Sequence, residues 1–180
     1  MSKSAPNKKK LSPQAVQGQL LTAFEQAAHA AGLPCANGKS AVESRYRGLI
    51  EAKLAKATFT GSVDMDTAFK ASEGKLNRWD YGLGLQAEPN SPECAVWVEP
   101  HSAASTGEVA KLLAKLDWLQ AKLKTPGFEG LRALTEACTQ QGVRPFHWMS
   151  TAHVSIRPGS REARQLAQRG LMPPTTRVVL

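Results

Sequence analysis

Two short segments carry the residues best suited to chemistry. Asp80 stands in "RWDYG", and Glu99 and His101 stand in "WVEPH" at the end of an apolar run. Carboxylates held close together repel unless a positive charge, a metal ion or a shared proton sits between them. A hard cation such as Mg2+ or Mn2+ is held by one or two carboxylates and keeps open water positions. Such waters can act as nucleophiles, while the ion stabilises charge developing on a phosphate oxygen. His101 could orient water, accept a proton or ligate the metal. The plainer alternative is a buried ion pair, Asp80 or Glu99 with His101, that closes the end of a hairpin.

For these residues to meet, "WDYGLGL" and "AVWVEPH" must be antiparallel strands joined by the turn "QAEPNSPEC", with its two prolines and Asn90-Ser91. A turn centred between Asn90 and Ser91 puts Asp80 opposite His101, Gly82 opposite Glu99, Leu83 opposite Val98 and Leu85 opposite Val96. Opposed residues share a face, with Cβ atoms ~5 Å apart. One face then holds Tyr81, Leu83, Leu85, Val96 and Val98. The other holds Asp80, Gly82, Gly84, Trp97, Glu99 and His101, where the two glycines leave room for a ligand to approach the sheet.

The flanking chain supplies the elements that would hold this hairpin. Ser12 as N-cap and Pro13 in the first turn predict a helix carrying Val16, Leu20, Phe24, Ala27 and Ala31, ended by Gly32-Leu33-Pro34. "SAVE" opens a second helix with Val42, Tyr46, Leu49 and Ile50 as its buried stripe. "TFTGSVDMD" reads as a strand. Ser105 and Glu108 have capping-box spacing before the leucine stripe Val109, Leu112, Leu113, Leu116, Leu119 and Leu123. A helix from Phe128 to Gly142, a strand from Arg144 to Ile156, a helix from Ser160 to Gly170 and a short strand "RVVL" complete the order. One α/β domain over 12–180, a mixed sheet flanked by helices, satisfies this pattern; residues 1–11 read as a disordered basic arm.

The order and the acidic residues together resemble the PD-(D/E)xK nuclease superfamily, over roughly residues 38–150. The resemblance implies a restriction-endonuclease-like core of helix, three strands, helix and strand. It implies Asp80 and Glu99 as metal ligands, with His101 in the place of the motif lysine. Glu43 is the candidate for the further acidic residue that such enzymes carry on the first core helix; alternatively, Ser40 and Glu43 form a capping box and Arg47 lies one turn on. The implied activity is metal-dependent phosphodiester hydrolysis with Mg2+ or Mn2+. A non-catalytic module of the same fold, binding nucleic acid or protein, is the second reading.

"GSVDMD" resembles the Gly-Ser and Asp-x-Asp signatures of polymerase-beta-like nucleotidyltransferases, which makes Asp64 and Asp66 a rival metal pair. Only Val63 separates Gly61-Ser62 from Asp64, however, where that family has a helical turn. Asp64 could instead join Asp80 from a neighbouring strand, and Asp66 could cap "DTAFK".

A net charge of +8 favours polyanionic partners. Lys111, Lys115, Trp118 and Lys122 recur along one helix face, a pattern that fits a phosphate backbone with a stacked base or a solvated face. Arg157, Arg161 and Arg164 lie together near the start of the last predicted helix, where guanidinium forks suit phosphate or carboxylate. His147 and His153 share parity on one predicted strand but would lie too far apart for joint ligation. His29 reads as structural, and no serine stands in a nucleophile elbow. Three scattered cysteines argue against a disulfide framework and against a paired-cysteine zinc site. With no secretory signal and no run long enough to span a bilayer, the expected compartment is the cytoplasm, and a protein partner or homo-oligomer is compatible with all of this.

Overall fold

The computed structural model describes residues 20–180; the basic arm and the predicted helix start at Ser12 lie outside them. The first described helix, α1, is Ala23–Ala30. Thr22 and Glu25 form a reciprocal capping box at its N-terminus, and Gly32, at φ 71°, turns the chain away at its end. The predicted helix after "SAVE" shrinks to one turn, α2 (Ser44–Arg47), because the chain leaves at Gly48 and Ile50–Glu51 becomes strand β1. Ser40 caps nothing there; Glu43 holds the N-cap position without a side-chain bond.

Strand β2 (Thr58–Asp64) stops two residues earlier than its alternation suggests. Asp64 accepts from the Thr67 N–H at 2.8 Å and from its hydroxyl at 2.9 Å, starting helix α3 (Met65–Glu73). Strands β3 (Tyr81–Gln86) and β4 (Cys94–His101) follow. The remaining elements are α4 (Glu108–Lys122), α5 (Glu129–Gln140), β5 (Phe146–Ser150), α6 (Arg161–Gln168) and β6 (Val178–Val179). Helix α4 begins at Gly107, not at Ser105, because Glu108 spends its carboxylate outside a capping box.

The result is a single α/β domain with a mixed sheet in the order β2-β3-β4-β5; β4 and β5 are parallel, the other neighbours antiparallel. A small parallel pair, β1 with β6, stands apart from it. The β3–β4 hairpin pairs Tyr81 with Val98, Gly82 with Trp97 and Leu83 with Val96, two residues from the register predicted above. The reason is the turn. Ser91 N–H closes onto the Glu88 carbonyl at 3.0 Å and Asn90 takes a positive φ of 67°, so the turn is centred one residue earlier. A slip of two preserves parity, and the two faces keep their predicted membership.

One face carries Tyr81, Leu83, Leu85, Cys94, Val96 and Val98, packed with Val42, Ile50 and Val178. The other carries Ala95 and Trp97 under Phe24 of α1, the leucines of α4 and Leu131 of α5. The two glycines leave no open space for a ligand. A Cβ on Gly82 would meet the Trp97 ring at 2.6 Å, and one on Gly84 would meet Phe24 at 2.6 Å and the Thr60 hydroxyl at 2.4 Å. Gly84 is where α1 closes onto the sheet, and Gly82 makes room for the Trp97 ring and Val63 from its neighbouring strands. All three cysteines are free thiols. Among the described residues no helix is long and apolar enough to cross a membrane.

A buried carboxylate–lysine cluster as candidate active site

Asp80 lies just before β3 and Glu99 near the end of β4, and parity puts both on the helix-covered side of the sheet. The Asp80 N–H donates to Glu99 Oε2 at 2.9 Å, locking the strand ends together through a side chain. From the covering helix, Lys115 reaches down between the two carboxylates. Its Nζ donates to Asp80 Oδ1 at 3.0 Å and to Glu99 Oε1. Glu99 is fully buried, whereas the Asp80 and Lys115 side chains retain 24% and 15% exposure. Lys115 engages Asp80 Oδ1, and the Glu99 carboxyl lies close enough to hydrogen-bond that of Asp80.

The electrostatics follow from burial. Desolvation, then the neighbouring Asp80 charge, pushes Glu99 well above the usual carboxylate range against the pull of Lys115. Desolvation also raises Asp80, with Lys115 opposing it. Burial alone would lower Lys115, but the two carboxylates more than offset this and its ammonium form is favoured. With both acids ionised the trio carries one uncompensated negative charge in a largely dry setting. Such a group takes up a proton or a further cation.

His101 is not the third member. Its Nε2 donates to Glu108 Oε2 at 2.7 Å, and its Nδ1 stands 4.0 Å from Glu99 Oε1. That bond and a weaker one from Lys111 hold Glu108 below the usual carboxylate range. His101 thus forms a second layer, anchored to the start of α4. The His101–Glu99 ion pair is long, at 4.0 Å, and Lys115 makes the closer contacts to both carboxylates at the end of the hairpin.

The other sequence candidates are placed elsewhere. Glu43 pairs with Arg45 at 2.7 Å, and no hydrogen bond or ion pair joins it to Asp80 or Glu99 among the described residues. Asp64 is spent as the α3 cap, and Asp66 pairs with Arg78 at 2.7 Å. These two aspartates belong to different elements and each has a protein partner of its own; Asp66 is near enough to Asp80 for its charge to help raise the Asp80 carboxyl. The lysine stripe is committed too. Lys111 pairs with Glu108 at 3.4 Å; Lys122 pairs with Glu73 and lies 4.2 Å from the Phe69 ring centroid; Trp118 is buried and donates to Glu73 at 2.6 Å. Arg157, Arg161 and Arg164 are exposed, with no ion-pair partner among the described residues. Strand β5 ends at Ser150, so His153 is off the strand; His147 Nε2 donates to the Arg144 carbonyl at 2.7 Å, within its own turn, and burial lowers its pKa. His29 sits exposed in the last turn of α1.

Sequence reading missed Lys115 and Glu108 as members of this constellation. The available signal was weak: Lys115 adjoins Leu116 at the border of the leucine stripe, where a helix rotation of a few tens of degrees decides whether a side chain faces water or sheet. Two carboxylates at adjacent strand ends fit a hard cation of the Mg2+ kind by donor type and number, and among the described residues no group of three or more His, Cys, Asp or Glu forms a metal cage. The chain matches no protein-family model, no curated protein and no solved structure.

Proposed function

We propose that the chain is a nucleic-acid phosphodiesterase of PD-(D/E)xK type, with Asp80, Glu99 and Lys115 as its acidic pair and its lysine. The observation that carries this reading is the Lys115 ammonium held between two carboxylates on adjacent strand ends. Sequence order puts His101 where that superfamily has its lysine; here a lysine arrives at the carboxylates from α4. The helix, three strands, helices and parallel fourth strand support a restriction-endonuclease-like core.

Asp80 and Glu99 would hold the divalent cation, which when bound supplies an activated water and neutralises phosphate charge. Lys115 contributes a fixed positive charge beside the site of developing negative charge. Glu108 orients His101 through its Nε2 bond. The exposed Arg157, Arg161 and Arg164 would bind the phosphate backbone. Their segment is tied to the loop after β4, since Ser155 N–H donates to Ala103 O and its hydroxyl to Ala104 O, both at 2.9 Å.

The complete burial of Glu99 favours a second reading, a non-catalytic module that binds nucleic acid through these arginines. Incubation with single- and double-stranded DNA and RNA in Mn2+ separates the two. The hydrolase reading expects cleavage that is lost in Glu99→Gln, with the fold and binding intact. The module reading expects no cleavage by either protein and binding whose salt slope falls by about one for each of Arg157, Arg161 and Arg164 changed to Ala. Absence of both cleavage and salt-sensitive binding overturns both readings.

A further inference from the structure

Among the described residues, the side of the sheet away from the carboxylate cluster is covered by short elements, α2, the β1–β6 pair and the C-terminal segment, with Ala137 and Cys138 of α5 at its edge, and it is incompletely filled. A cavity of about 790 Å³ remains between the end of β3, the chain leading into β5 and the β1–β6 pair. Its walls are apolar, with Leu54, Leu85, Val143, Met172 and Val179 among them. Leu54, Met172 and Val179 are 47%, 45% and 56% exposed, an unusual cost for large apolar side chains grouped at one opening. The size falls within the range of small-molecule sites.

The charged side chains that line this opening have one sign. Lys53, Arg144 and Arg177 line it, and no acidic side chain does. Arg177 is partly satisfied by Glu51, but Lys53 and Arg144 have no ion-pair partner among the described residues. Apolar walls with unneutralised cations at the rim complement one class of molecule, an apolar body carrying an anionic head.

We propose that this cavity is a binding site for a small amphiphilic anion, its apolar body against Leu85, Val143 and Met172 and its carboxylate or phosphate on Lys53 and Arg144. The site is separate from the carboxylate–lysine cluster and does not rest on the hydrolytic reading.

The test uses the full chain and three ten-carbon probes below their micelle concentrations: decanoate, decyl phosphate and decyltrimethylammonium, followed by titration calorimetry. Saturable one-to-one binding of the two anions is expected, with the cation at least about tenfold weaker. Arg144→Glu should weaken both anions by about tenfold or more and narrow the gap to the cation, while Met172→Trp, which fills the opening from an exposed position, should weaken all three. Preference for decanoate over decyl phosphate, or the reverse, identifies the head group. Equal affinity for anion and cation, unchanged affinity in Arg144→Glu with native circular dichroism, or no binding of any probe overturns the proposal.

Discussion

The two faces of the central sheet solve burial in opposite ways. Under α4 and α5 the sheet is largely closed, down to a fully buried glutamate, with only Asp80 and Lys115 of the cluster partly exposed, and the polar groups there are compensated by one another: Lys115 by Asp80 and Glu99, the Trp97 indole by the Thr135 hydroxyl at 2.9 Å. One exception is the Trp79 indole nitrogen, buried without a partner. On the other face the apolar strand residues are covered by short elements, and a cavity with uncompensated cations is left at the edge. Where two long helices exclude water, charge must be paired within the protein; where cover is thin, water at the surface tolerates unpaired charge.

The contrast is most sharply tested at Lys115. Lys115→Met leaves Asp80 and Glu99 facing each other without their cation, and should cost about 3–5 kcal/mol in urea unfolding at neutral pH. Adding Asp80→Asn and Glu99→Leu to the same chain should restore much of that loss, because no buried charge then remains. A small loss for the single variant would mean that water reaches the cluster and that the face is not closed.

Packing gives a smaller difference. Gly84→Ala forces a methyl against Phe24 and Thr60 and should destabilise by about 1–3 kcal/mol. Met172→Ala, at the rim of the cavity and 45% exposed, should shift the denaturation midpoint far less. Equal losses would show that the second face is as tightly filled as the first.

The smallest effect is in the pH profile. Glu99 and Asp80 are held above their ordinary values, so between those values and the raised ones the folded chain binds more protons than the unfolded chain. Stability from this pair is therefore greatest at low pH and declines as pH rises through that window. Glu73 behaves oppositely. Its bond from Lys122 holds it below the ordinary range, so its contribution is present above that range and lost as pH falls through its folded value. Thermal melts of Glu99→Gln should show a shallower decline on going from mildly acidic to neutral pH than the wild type. Parallel curves for the two proteins would place the titrating group elsewhere.

Much of the fold was legible because alternation and helical periodicity report which side of an element is apolar. The hairpin shows how robust and how limited that is: the turn was misplaced by one residue and the register by two, yet Asp80 and Glu99 stayed on one face because strand parity repeats every two residues. Shorter elements were less legible. Val42, Tyr46, Leu49 and Ile50 are spaced for a helix, but Ile50 is drawn into β1 by pairing with Val178, a partner distant in sequence. Asp66 was read as a cap because either aspartate of "DMD" could start a helix; the pairing of Asp64 with Tyr81 fixed where the strand ends.

By itself the amino-acid sequence determined an α/β chain, an antiparallel hairpin with one apolar face, and an Asp–Glu pair on the other. It did not determine that Lys115 would join that pair while Asp64 capped α3 and Glu43 paired with Arg45, nor that His101 would turn to Glu108. The Lys115 and His101 outcomes depend on the rotation and depth at which α4 docks on the sheet. Docking is set by the combined fit of Trp97, Phe24 and the α4 leucines, a property of many residues in three dimensions that no spacing along one element records.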